Sequence, residues 1–320
     1  EIMTKLAARF KLTEETFFMK PEQINRFGLL GNKEDARKVL EGTFKGGEEM
    51  TEAEKRIIRV LQITDKIRER GTTEKGVSTE DFQAGFKGAK ERTALSFSRL
   101  HFGHYKSVLE DDKLSDIHAG MLDIAARTGT SLPRWQKGLT VMIYKKLNSI
   151  LVDDLRAILL MEADFALLNK LIIGKRMVHN AEEAKEMPLE NVERRKGFSA
   201  AEVGLTRKMF FDILRMLRQD GAVMSADAHM CYDRIQHTSA ALSCEELGVP
   251  NITIAMLLLT LQKMKYYIRT GHRKSSTFYS SGAGLPFQGG CQGNGAALRY
   301  WLVVSRTLLR YIKLSGMTQN

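Results

Sequence analysis

Two short alternating segments, Lys137-Gly-Leu-Thr-Val-Met-Ile-Tyr144 and Asp154-Leu-Arg-Ala-Ile-Leu-Leu-Met161, constrain this chain more than any other feature. Each alternates in the two-residue period of a strand with one buried face. Lying so close in sequence, they predict a hairpin with a long tip, around which helices must supply the remaining cover. Lys145 and Lys146 end the first strand and Arg156 begins the second, so the hairpin sets cations over one spot. Lysine offers a point charge and arginine a planar fork, the mixture a triphosphate needs. Ordinary solubilising charges on a surface hairpin fit the same residues.

The flanking sequence reads as helical. Thr51-Glu-Ala-Glu54 and Ser78-Thr-Glu-Asp81 are capping boxes. Ile57, Leu61, Thr64 and Ile67 follow the first on one helical face, ending near Gly71, and Phe82, Phe86 and Ala89 follow the second. Residues 1–50, broken by Gly28, Gly31, Gly42, Gly46 and Gly47, carry little chemistry. His101 and His104 could share a metal across one helical face, but no third ligand lies near them. Helices are expected over Phe165–Met177, up to about Leu217, from Asn251 to about Gln262, and over Leu298–Leu314. A strand is expected at Lys265–Thr270, then loop or hairpin to Gly290. Arg195 and Lys196 precede a Gly197-Phe198 turn; they suit a grip on a nucleic-acid backbone, or simply charge a loop.

At the centre lies Ser225-Ala-Asp-Ala-His-Met-Cys-Tyr-Asp-Arg-Ile235. The apolar run from Gly221 before it reads as a buried strand, and the run from Tyr232 reads as a helix closed by Gly248. Asp227 then falls where a buried strand runs out. A carboxylate there needs a cation or donors to offset its desolvation. It is either a divalent-metal ligand or a helix N-cap.

Charge placement bears on partners. Of the formal net charge of +11, nine come from Lys263, Lys265, Arg269, Arg273, Lys274, Arg299, Arg306, Arg310 and Lys313, in a segment from Asn251 to Asn320 that holds no Asp or Glu. Such a surface repels itself unless it meets a polyanion, and interleaved aromatics favour nucleic acid over membrane. Lys265, Arg269, Arg273 and Lys274 are the candidate contacts. No apolar run is long enough to cross a bilayer, so no membrane partner is expected. Three cysteines in no paired spacing point to a reducing, intracellular compartment, nuclear or cytoplasmic. Gly289-Gly-Cys-Gln-Gly-Asn-Gly-Ala-Ala297 opens the last helix with a turn that offers backbone N–H groups to a base, sugar or phosphate. It lacks the Lys-Ser/Thr of a P-loop.

The order of these parts resembles the fingers and palm of a reverse transcriptase of the retrotransposon type. The wording Arg99-Leu-His-Phe-Gly-His-Tyr-Lys106, Leu155-Arg-Ala-Ile-Leu-Leu-Met-Glu-Ala-Asp-Phe165 and Pro286-Phe-Gln-Gly-Gly-Cys-Gln-Gly-Asn-Gly-Ala296 carries the likeness, over about residues 80–315. It implies an α+β, helix-rich fold with short antiparallel strands. The implied layout is a helical N-terminal extension over 1–80, a fingers-like region over 81–218 and an incomplete palm over 219–320. It further implies that Asp227 and the Ala228 carbonyl bind Mg²⁺ or Mn²⁺. Tyr232 stands under the sugar and excludes a 2′-hydroxyl, while Asp233 is structural. Lys145 or Lys146, with Arg156, hold the triphosphate, and Gln292 and Gly293 line the nucleotide pocket.

The implied partners are an RNA template with a DNA primer or RNA–DNA hybrid, and deoxynucleoside triphosphates. Ala297-Leu298 stands where the family has Ser-Pro, and the aromatic-x-Asp-Asp motif does not occur after Leu314. Two magnesium ions need more carboxylates than Asp227 alone. The chain is therefore expected to be a polymerase fragment, lacking the C-terminal palm and thumb and inactive by itself. The alternative is a non-enzymatic nucleic-acid-binding protein descended from such an enzyme. Tyr232 argues against an RNA-templated RNA polymerase, and a helical protein with an idle basic tail leaves the ordered motifs unexplained.

Overall fold

The computed structural model describes residues 1–91, 93, 96–145, 151, 154–191, 195, 197, 199–223, 228–271 and 273–316. Strand β1 (Lys137–Tyr144) pairs antiparallel with β2 (Leu155–Leu160), from Leu139 opposite Leu160 to Tyr144 opposite Leu155. The expected hairpin is present. Alternation could not give its other neighbour. Strand β3 (Lys265–Arg269) lies parallel to β1, and β4 (Lys274–Tyr279) folds back antiparallel on β3, in the order β2-β1-β3-β4. The sheet is therefore mixed, which corrects the expectation of antiparallel strands alone. A parallel neighbour requires a long crossover, and the helices between β2 and β3 provide it.

Eight α-helices precede the sheet among the described residues: α1 (Ile2–Phe10), α2 (Pro21–Phe27), α3 (Glu34–Glu41), α4 (Glu52–Arg59), α5 (Asp65–Arg70), α6 (Thr79–Lys87), α7 (Phe102–Val108) and α8 (Asp112–Thr128). Both capping boxes close as read, with Thr51 capping α4 and Ser78 capping α6. The helix expected to reach Gly71 is broken instead. The Ile63 N–H leaves the helical ladder for the Leu40 carbonyl at 2.9 Å, and Thr64 starts α5 afresh. After β2, α9 (Ala163–Asn169) continues through a π-helical stretch, Lys170–Met177, into α10 (Val178–Glu183). Then come α11 (Ala200–Leu217), α12 (His237–Glu246), α13 (Asn251–Gln262) and, after the hairpin of β3 and β4, α14 (Ala297–Leu314).

The fold is α+β and helix-rich. Its main core packs Phe165 and Leu168 of α9, Ile172, Leu257 and Leu258 of α13, and Tyr300 and Val303 of α14. A second core joins Phe27, Val39 and Ile58 from α2–α4 to Leu242 of α12. Buried Asp164 and Glu246 are matched by arginines, as burial demands. Asp164 takes Arg134 Nη1 at 2.9 Å and the Trp135 indole at 3.1 Å. No helix among the described residues is long and apolar enough to cross a membrane.

The acid-free C-terminal segment is less exposed than its composition suggests. Arg306 is buried, with its guanidinium on Glu246 at 2.8 Å and Glu186 at 2.8 Å; Arg310 pairs with the same Glu246, and Lys313 with Glu190 at 2.7 Å. Acids from earlier elements thus neutralise Arg306, Arg310 and Lys313. Tyr266, Tyr279, Phe287 and Tyr300 are core residues.

Candidate functional site

The segment leading into the site departs from expectation. Gly221–Val223 are exposed and form no strand. A strand needs a ladder partner, and none is paired with them among the described residues. Residues 224–227, and Asp227 with them, lie outside the described residues, as do Lys146 and Lys196.

The helix expected from Tyr232 begins only at His237. Met230 takes a left-handed φ of 51°, Cys231–Asp233 make one 3₁₀ turn, and Gln236 is extended. The reason is the Gly-rich turn, which claims this backbone. The Gly289 N–H donates to the Ile235 carbonyl at 2.8 Å and the Gly290 N–H to the Tyr232 carbonyl at 2.7 Å. On its other side the turn is tied to the sheet, where the Leu159 N–H donates to the Gln292 carbonyl at 2.7 Å.

Glycine is required at both edges of this strap. A Cβ on Gly289 (φ +97°) would stand 2.6 Å from the Asp233 carbonyl oxygen, and one on Gly293 (φ +112°) would run into the Leu159 carbonyl. The sequence suggested that these N–H groups were open to a phosphate. For Gly289 and Gly290 that is corrected, because both are spent on holding the 230s turn against β2.

The strap, the 230s turn and the facing ends of β1 and β2 enclose an open cleft of about 380 Å³. Lys145, Arg156, Ala228, Tyr232 and Gln292 all line it. Five candidates from three separate stretches of sequence thus meet in one place. Asp233, His229, Met230 and Cys231 complete the 230s wall.

The N-terminal helix contributes Arg9, which sequence reasoning passed over in a region credited with little chemistry. Its guanidinium donates to the Leu155 carbonyl at 3.2 and 3.3 Å. Neighbouring Phe10 locks the helix in place by stacking on Tyr266 and Phe287, with centroids 5.5 and 5.8 Å away. An arginine ending a short helix carries no signal in a single sequence.

Two titratable groups are shaped by this packing. Burial raises the Asp233 carboxyl to about 6, against the pull of Arg9, the Gln292 N–H, Lys145 and Arg234. One of its oxygens has no hydrogen-bond partner. Burial pushes His237 down to about 4. Its Nε2 lies 2.9 Å from the Gly289 carbonyl, so that nitrogen carries the proton and donates.

The remaining candidates divide. Lys265, Arg269, Arg273 and Lys274 are exposed on β3, β4 and their connection. Arg195 is taken up by Glu182 at 2.7 and 2.8 Å and by two backbone carbonyls, which ties it to the body of the protein. His101 caps its own helix: its Nδ1 accepts from Gly103, and its Nε2 meets the Thr93 carbonyl at 2.8 Å.

No three His, Cys, Asp or Glu side chains converge as a metal site among the described residues. Asp233 is the one carboxylate among the described residues lining the cleft. These residues by themselves do not fit a divalent ion. The chain matches no family model and no curated protein.

Proposed function

We propose that the cleft receives a deoxynucleoside triphosphate beside a primer–template, as in the palm of a reverse transcriptase. One observation carries the reading. Residues marked for phosphate (Lys145, Arg156), sugar (Tyr232) and base or template (Gln292) by the resemblance line one cleft together with Ala228. Lys145 and Arg156 supply a point charge and a fork for the phosphates. Tyr232 sets the floor against which the sugar packs. Ala228 follows Asp227 directly, the residue the resemblance assigns to magnesium.

Sugar discrimination tests this reading. In competition binding with dUTP and UTP, the wild-type chain should prefer dUTP, and Tyr232→Ala should narrow the preference about tenfold. Equal affinities in the wild type, or a preference unmoved by the substitution, would refute it. A second reading, binding of nucleic acid without chemistry, is favoured by the single carboxylate among the described cleft residues. It predicts strand binding with no saturable binding of a deoxynucleoside triphosphate.

A further inference from the structure

Two helices carry apolar faces that the single chain leaves in water. The core side of α8 is Ser115, Ala119, Leu122, Ala125 and Ala126. Away from it Leu114, Ile117, Met121 and Ile124 follow one another at helical spacing, and all four are exposed, Ile124 at 63%. That spacing makes a seam suited to a second helix. In α11 the case is more extreme. None of its described side chains is buried. Val203, Phe210, Ile213 and Leu217 share one face and are exposed, and Met216 beside them is 83% exposed. Most of a helix's stability comes from packing such a face, and exposed apolar patches of this kind mark contact surfaces.

The two helices match in length and oppose each other in charge. Ala200–Leu217 has 18 residues and Asp112–Thr128 has 17. Counted with its cap, α8 holds Asp111, Asp112, Asp116 and Asp123 against Lys113 and Arg127. Asp112 and Asp116 take hydrogen bonds from the neutral Gln83 and Thr79 at 3.1 and 2.8 Å. With its cap, α11 holds Arg207, Lys208, Arg215 and Arg218 against Glu202 and Asp212. Arg215 pairs with Asp212 at 3.2 Å, and the other three cations form no ion pair among the described residues. An anionic bilayer or a nucleic acid would meet the basic helix but be repelled by the acidic one.

We infer that a second copy of this chain covers both faces, with α11 of each copy packed on α8 of the other about a two-fold axis. Each chain brings one face of each kind, so two copies fill all four and the assembly closes. None of these residues lines the cleft, so the dimer does not rest on the reading of that site. Opposite net charges steer the two faces together, and association weakens as salt rises.

Sedimentation velocity of the full chain over a dilution series tests this. The wild type should pass from one chain to two as concentration rises. Ile124→Asp and Ile213→Asp each break both contacts of a homodimer and should weaken association at least about 30-fold. Their urea midpoints should match the wild type, because both side chains are exposed, and Ile124→Leu should associate like the wild type. A mixture of the two aspartate variants keeps one intact contact, α11 of the first on α8 of the second. It should associate more tightly than either variant alone.

A wild type that stays monomeric at every concentration would overturn the inference. Either aspartate variant dimerising like the wild type would do so too, in favour of one helix pairing with its own copy. So would a mixture no tighter than its components. A monomer that binds phosphatidylserine vesicles through Ile213 overturns it in favour of a lipid surface. A monomer in which Ile124→Asp speeds hydrogen exchange across α11 overturns it in favour of docking within one chain.

Discussion

The guanidinium of Arg9 donates to the carbonyl of Leu155 at 3.2 and 3.3 Å, joining the first helix to the first residue of β2. The next residue is Arg156, whose side chain lines the cleft. Arg9 therefore acts on the site in two ways, as a wall and as a clamp on the strand that presents Arg156. Arg9→Ala is expected to cost about 1.5–3 kcal/mol of stability, the range for a charged hydrogen bond, and to weaken triphosphate binding. Arg9→Lys should recover less than half of the loss, because a point charge cannot replace the fork. Urea midpoints and nucleotide titrations on the same variants check both effects.

Acid titration should show two opposing contributions from the residues the strap packs against, Asp233 and His237. The folded Asp233 carboxyl, at about 6, holds its proton more tightly than the unfolded one at 3.8. Its contribution is therefore fully present below about pH 4 and is lost as pH rises through 6, by about 3 kcal/mol for roughly two units. The folded His237, at about 4 against 6.5 unfolded, works the other way: stability is lost as pH falls from 6.5 toward 4. In the wild type the two largely cancel. Asp233→Asn should uncover the histidine, giving stability that climbs between about pH 4 and 6.5. The variant should exceed the wild type at pH 7.5 and match it near pH 3.5. Denaturant midpoints across that range decide the matter.

Glu246 is fully buried, and Arg306 is the buried partner that meets it at 2.8 Å. Burial pushes the Glu246 carboxyl up, opposed by Arg306 and Arg310. Arg306→Met takes one of two arginines from Glu246 and the arginine from Glu186, and should cost about 3–5 kcal/mol. Adding Glu246→Gln should restore part of the loss. A double-mutant cycle on unfolding free energy measures the coupling.

Gly289 stands at φ +97°, with Asp233 against the place a side chain would take. Gly289→Ala should destabilise the chain by about 1–3 kcal/mol from backbone strain alone. It should also raise hydrogen exchange at the Gly290 amide, which donates to Tyr232.

Local signals made much of this molecule legible. The hairpin from Lys137 to Leu160, the capping boxes at Thr51 and Ser78 and the last helix were written in periodicity and cap chemistry. Those forces act over a few residues. The parallel pairing of β1 with β3 was not, since nothing near Leu139 names Tyr267 as its neighbour. The late start of α12 was hidden for a related reason: the sequence from Tyr232 suits a helix until Gly289 and Gly290, far along the chain, take its carbonyls. The site followed the same division. Lys145, Arg156, Tyr232 and Gln292 sit in local motifs and line one cleft, whereas Arg9 arrives through the packing of Phe10 on Tyr266 and Phe287.

Equilibrium binding of dTTP to the wild-type chain and to Arg156→Ala tests the account most directly, because the proposal assigns the triphosphate's charge to Lys145 and Arg156, which line the cleft. The account predicts saturable binding that Arg156→Ala weakens at least tenfold, with thymidine, which lacks phosphates, bound equally by both. No binding to the wild type, or the same dTTP affinity in both proteins, would contradict it.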